Sequence, residues 1–141
     1  MRRSKRVAAI AVLAGLAAAT GAVGASALES QASAVSVRVR LVEFKLIPSV
    51  KRVAAGKVTF VVRNAGKIPH EFVVLRTKAP AGKLPTKGSE AVETGAVGDI
   101  GSFKAGLTKT LTLNLKPGHY ALICNLPGHY KAGQFADLTV G

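Results

Sequence analysis

The chain of 141 residues has no tryptophan, one cysteine, one methionine and only two tyrosines and five phenylalanines. Each shortage excludes something. The lone Cys124 excludes an intrachain disulfide, so this is not a disulfide-stapled scaffold and must rest on a hydrophobic core. So few aromatics leave no stacking platform for nucleic acid, and no nucleic-acid motif is present. The only methionine is Met1, so the body of the chain offers no thioether. Acids are scarce too: seven Asp and Glu face 20 Lys and Arg, a formal charge of +13. That imbalance predicts attraction to anionic partners, either acidic protein surfaces or the polymers of an anionic cell envelope. The length is that of one domain.

Part of the charge sits in an address. Arg2, Arg3, Lys5 and Arg6 form a basic start, Val7 to about Gly24 is apolar and rich in Ala and Gly, and Ala25-Ser26-Ala27 offers small residues for cleavage. This order reads as an export signal over residues 1–27. A membrane anchor is the competing reading, but a spanning helix needs about 20 strongly apolar residues, and Ala and Gly dominate here. A second small-residue site, Ala32-Ser33-Ala34, lies close by. The expected organisation is a signal over 1–27, a linker over 28–34 and one exported domain over 35–141. Residues 28–141 hold 16 cations and seven acids, a net charge of +9.

What the chain has in quantity is turns and alternation. Fifteen Gly and six Pro punctuate short apolar runs, which favours an all-β fold. Val35–Leu41 alternates apolar and polar with period 2, the pattern of a strand with one wet face. The phase then slips, with Val42, Phe44 and Leu46 carrying the apolar positions, which predicts a β-bulge. Lys57–Arg63, Glu71–Arg76, Thr108–Leu115, Tyr120–Ile123 and Phe135–Val140 read as further strands. Residues 77–96 hold Pro80, Gly82, Pro85, Gly88 and Gly95, a long surface excursion with a helical turn expected near Ser89–Thr94. Seven or so short strands with a turn about every ten residues give a sandwich or small barrel.

Cys124 carries the chemistry. Oxidising conditions outside the cell make a free thiol a liability unless it is shielded or used. It ends an apolar strand, and Asn125-Leu126-Pro127-Gly128 leads from it to His129, so the Pro-Gly turn can fold the imidazole back toward the thiol. Far upstream, Ile68-Pro69-His70 closes a turn before another strand. In a sandwich, loops at one end can meet across the sheets and assemble two imidazoles and one thiolate. That is the trigonal blue-copper set, whose fourth, axial ligand is weak. Met usually fills the axial place; here Gln134 stands in its position, with Gly133 before it to let the chain turn. The plainer alternative has Gln134 merely opening the last strand, its amide turned to solvent. Other readings carry less: a Cys–His nucleophile pair has no orienting group beyond Asn125, and structural zinc prefers more thiolates at CxxC spacing. His119, in the turn after Pro117-Gly118, reads as a surface residue, and Phe72 and Tyr120 as core.

The segment CNLPGHYKAGQ resembles the C-terminal ligand loop of the cupredoxins, the plastocyanin and azurin family, and KVTFVVRNAGKIPHEFVVL resembles the strand–turn–strand that carries their first histidine ligand. The resemblance runs over roughly Val35–Val140 and is weakest over 77–96. It implies an all-β Greek-key sandwich of seven to eight strands holding one copper ion on His70, Cys124, His129 and, axially, Gln134. Gln at the axial place is similar to the stellacyanin-type proteins. Many family members put Asn or Ser beside the first histidine to hydrogen-bond the sulfur; this chain has Glu71. The implied function is that of an exported, monomeric one-electron carrier, not an enzyme. His129 would be the electron port, inside an apolar rim of Ile68, Pro69, Leu126 and Pro127, with redox partners that present acidic surface. A copper storage or delivery protein would use the same ligands.

Overall fold

The computed structural model describes residues 33–141; the export signal expected over 1–27 and most of the linker expected over 28–34 lie outside them. Among the described residues there are eleven strand segments, eight of them four residues or longer. Strands β1 (Val35–Val42), β2 (Lys45–Pro48), β4 (Gly56–Asn64) and β9 (Thr108–Leu115) form one sheet in the order β2-β1-β4-β9. Strands β3 (Arg52–Val53), β5 (His70–Arg76), β8 (Ala96–Phe103), β10 (Gly118–Ile123) and β11 (Phe135–Val140) form the other, in the order β3-β11-β10-β5-β8. Of the sandwich and the small barrel that the turn spacing allowed, the sandwich is observed, in the Greek-key form that the resemblance implied.

Alternation decides which face of each strand is dry. Val37, Val39 and Leu41 of β1 and Val58, Phe60 and Val62 of β4 point inward, against Phe72, Val74, Tyr120, Leu122 and Leu138 of the second sheet. The intervening Arg38, Arg40, Lys57 and Arg63 face water. β1 and β4 run parallel, with Val37 opposite Phe60 and Val39 opposite Val62. The second sheet is dry on both sides at its centre. Val73, Leu75, Ala121 and Ile123 pack outward against Ala81, Leu84, Ala91 and Tyr130 of the excursion and the ligand loop. This two-sided burial explains why EFVVLR and YALI are continuously apolar instead of alternating.

Two expectations are corrected, and one strand was not anticipated. The phase slip after Leu41 is not a bulge but a turn at Glu43-Phe44, after which β2 doubles back on β1 with Val42 opposite Lys45. No helical turn forms at 89–94; a 3-10 turn occupies Ala81–Lys83, and Thr86–Lys87 (β6) pairs with Glu90–Ala91 (β7) as a short hairpin. β8 went unread because glycines interrupt its pattern. At Gly98 a β-carbon would stand 2.6 Å from Leu113 Cδ2, so the facing sheet fills the space a side chain would need.

β5 and β10 are antiparallel neighbours, Val73 opposite Ile123. The start of one and the end of the other therefore emerge at the same end of the sandwich. That end carries His70 and Cys124.

Candidate metal centre

His70 opens β5 and Cys124 follows β10, both with no exposed surface. The loop after Cys124 curls through two tight turns: His129 N–H donates to Leu126 C=O, and Gln134 N–H donates back to His129 C=O. Gly128 and Gly133 take φ of +83° and +107°, backbone that side-chain-bearing residues rarely adopt, so glycine is required at both bends. Cys124 N–H donates to Gln134 C=O at 3.0 Å, which closes the loop at its neck.

The result is a compact donor triangle. His70 Nδ1 lies 3.2 Å from His129 Nδ1 and 3.9 Å from Cys124 Sγ, and Sγ lies 3.4 Å from His129 Nδ1. A point equidistant from all three lies roughly 2 Å from each, the length of a metal–imidazole bond (about 2.0–2.1 Å). Among the described residues, this is the one group of three or more His, Cys, Asp and Glu side chains close enough to share an ion.

Gln134 is fully buried against the triangle, not turned to solvent. Its Nε2 donates to Val42 C=O at 3.1 Å and lies 3.0 Å from His70 Nδ1. The Val42 carbonyl fixes which end of the amide is nitrogen, since an oxygen there would face another acceptor. The amide oxygen, Oε1, is then buried with no hydrogen-bond partner. An orphaned acceptor is costly in a protein interior unless something else satisfies it. Beside two imidazoles and a thiol, a cation is what would do so. Two nitrogens, one soft sulfur and a weak oxygen donor make the set that suits a single copper ion.

The thiol is held ready but protonated. Burial pushes Cys124 above the ordinary cysteine range, against the opposing pull of the Glu71 and Leu126 backbone N–H groups. Glu71 N–H lies 3.4 Å from Sγ. The hydrogen bond to sulfur therefore comes from the main chain, and the identity of side chain 71 does not decide it. The Glu71 carboxylate instead accepts from Asn125 N–H at 3.0 Å, and burial raises its pKa. His129 is held below its ordinary value, first by desolvation and then by the neighbouring His70, so its ring is neutral at pH 7.

The surroundings add residues that the sequence did not announce. Phe44, from the β1–β2 turn, meets the His129 ring edge-on at 4.9 Å; of the residues expected to form the apolar rim, Ile68, Pro69 and Pro127 are exposed and Leu126 is half-buried. Glu43, beside it, accepts hydrogen bonds from Lys67 N–H (2.8 Å) and Ile68 N–H (3.1 Å), and its Oε1 lies 3.1 Å from His70 Nε2. The backbone donors, Lys67 foremost, bring its carboxyl down to about 2. A signal for these two residues would have been the turn itself, which the bulge reading hid. Asn125 grips the excursion: Oδ1 accepts from Ala91 N–H at 2.7 Å, and Nδ2 donates to Ala91 C=O and to Glu93. His119 stays out of the site, bridging Thr77 C=O and Asp137.

No protein-family model and no curated protein sequence matches the chain. Solved structures do. A dithionite-reduced auracyanin from the photosynthetic bacterium Roseiflexus castenholzii superposes with a TM-score of 0.60 at 19% identity, covering 77% of this chain and 98% of its own. An azurin from Methylomonas sp. strain J gives 0.57 at 13%, covering 76% and 98%. Rusticyanin from Thiobacillus ferrooxidans gives 0.55 at 20%, covering 77% and 79%. Together with the strand order and the end-on donor cluster, these likenesses identify the architecture of the chain as the cupredoxin fold.

Proposed function

We propose that the protein is an exported mononuclear type 1 copper protein that carries single electrons between redox partners. One observation carries the reading: two imidazole nitrogens and one thiol sulfur converge at 3.2–3.9 Å beside a buried amide oxygen that has no partner. The neighbours support it within what is said of them: rusticyanin is a copper protein, and auracyanin has a reduced form.

His70 Nδ1, His129 Nδ1 and the Cys124 thiolate would hold the ion, with Gln134 Oε1 as the further, weaker donor. Copper supplies the redox couple, Cu(I)/Cu(II). The chain supplies a fixed cage. Cys124 sits between two main-chain N–H donors, His70 is pinned from outside, and Gly133 aims Gln134 inward, so little needs to move when the charge changes. His129 is only partly covered, inside the apolar rim, and is the one ligand edge near the surface. A partner packing on that rim would come within electron-transfer reach of the site without opening it. The burial of His70, Cys124 and Gln134 favours a carrier over a delivery protein, which must let its ion out. A carrier has no substrate to transform, so no enzyme activity is assigned.

The test is the absorption and EPR spectrum of the copper-loaded domain, with reversible voltammetry. An intense thiolate-to-copper band that disappears in Cys124→Ser is expected; a band that survives that substitution would refute the ligand set. Rapid loss of copper to a chelator without reversible voltammetry would favour delivery. Mass spectrometry of the native protein checks export: a mature terminus near residue 28 is expected, whereas an intact Met1 in the membrane fraction would mean an anchor.

A further inference from the structure

Glu43 stands in the turn that leads from β1 into β2, 27 residues before His70. A carboxylate only accepts hydrogen bonds. The proton between Glu43 Oε1 and His70 Nε2, 3.1 Å apart, must therefore sit on the imidazole. With Nε2 protonated, the neutral ring carries its lone pair on Nδ1, the atom that faces Cys124 and His129. The carboxylate is itself fixed by the backbone N–H groups of Lys67 and Ile68. A separate feature points the same way. A β-carbon on Gly66 would overlap the Glu43 carboxylate and stand 2.9 Å from His70 Nε2. The loop leaves position 66 bare where the glutamate meets the histidine.

We propose that Glu43 is a positioning residue for the metal centre: its carboxylate locks the Nδ1-donor form and the ring angle of His70, and its charge strengthens that ligand toward the more highly charged ion. A partner that accepts from the outer N–H of a ligating histidine orients the ring and raises its basicity. A full negative charge does so more strongly than a neutral acceptor. Such a ligand favours Cu(II) over Cu(I). The second half rests on the copper reading above; the first half does not.

Two measurements separate them. Nitrogen-15 NMR of the metal-free protein reads the histidine tautomer directly. His70 should be in the Nε2–H form in the native chain and in Glu43→Gln, whose amide oxygen can still accept. Gln134 Nε2, 3.0 Å from His70 Nδ1, favours the same form from the other side, so the comparison is made in Gln134→Met, which lacks that donor. There the ring should become mixed when Glu43→Ala is added, and when Gly66→Ala displaces the carboxylate. A predominantly Nδ1–H ring in the native chain, or an unchanged ring on adding Glu43→Ala to Gln134→Met, overturns the positioning role. The second measurement is the relative affinity for Cu(II) and Cu(I). Removing an outer partner typically costs about 10- to 100-fold in metal affinity. Glu43→Gln keeps the shape and removes only the charge, so it should shift the Cu(II):Cu(I) preference toward Cu(I) by roughly tenfold, and Gly66→Ala should shift it the same way. No shift in Glu43→Gln overturns the electrostatic role. If neither protein binds copper at all, the copper reading has failed, and the tautomer alone decides whether Glu43 positions His70.

Discussion

Cys124 must lose its proton before any cation can bind, and burial holds that proton on. The sign follows. The thiol pKa lies above neutrality, so metal binding at pH 7 should expel close to one proton per ion, and affinity should fall about tenfold for each pH unit below that. His129 contributes no proton near pH 7, because its value is shifted down. Calorimetry of Zn²⁺ binding in two buffers of different ionisation enthalpy measures the release; none would mean a thiolate already free. Gln134 is the other residue with something to decide. Its unpartnered oxygen is a harder donor than a thioether and favours Cu(II). Gln134→Met should raise the reduction potential and strengthen the blue band relative to its higher-energy neighbour; an unchanged potential would place the amide outside the coordination sphere. The residues of the donor triangle, and Gln134 as the candidate beside them, were readable from the chain, because so few side chains can do this chemistry and each sits in a marked turn. Glu43 was not readable. A carboxylate 27 positions upstream acquires its partner only when β1 folds back on itself. The donor to the sulfur was unreadable for a different reason: a backbone N–H has no residue type.

The long excursion looked like decoration, and its contacts make it a brace. Tyr130, one residue after His129, is almost fully buried. Its hydroxyl donates to Ala81 C=O at 2.6 Å and accepts from Leu84 N–H at 3.0 Å. Together with Asn125 on Ala91, it ties the outer cover of the second sheet to the loop that holds two ligands. Tyr130→Phe keeps the ring and removes both bonds, leaving a buried donor and a buried acceptor unpaired, which costs about 2–3 kcal/mol. Denaturant unfolding should show that loss, while the copper band, which Tyr130 does not touch, stays in place. An unchanged midpoint would mean that the excursion opens freely to water. Strand positions were legible wherever one face is wet, as in β1 and β9. They were legible only as apolar runs in β5 and β10, where both faces are dry. They were lost in β8, where Gly98 yields its space to Leu113.

At the scale of the molecule, charge is the feature that composition announced and the fold distributes. Lys45 follows the Glu43-Phe44 turn, Lys67 precedes Ile68 in the rim, and Lys131 lies two residues after His129; all three are exposed. Against them the near rim sets Glu43, whose charge is engaged by His70 and two backbone donors. Glu93, Asp99 and Glu90 lie near enough to Glu71 to raise its pKa, an acidic group along β5, β8 and the excursion. With these three lysines exposed in the segments that frame the site, the expectation is that anions are steered in and cations repelled. Small redox reagents of opposite charge test this without any knowledge of the natural partner. Oxidation of the reduced protein by ferricyanide should be fast at low salt and slow as ionic strength rises; oxidation by a tripositive cobalt phenanthroline complex should accelerate. Lys67→Gln with Lys131→Gln should reduce the ferricyanide rate severalfold at low salt. The same loss of charge at Lys57 and Lys116, beside the paired residues Gly56 and Leu115 at the other end of the sandwich, should change it far less. Equal effects from the two pairs would mean that only net charge matters, and that the rim does not guide the encounter.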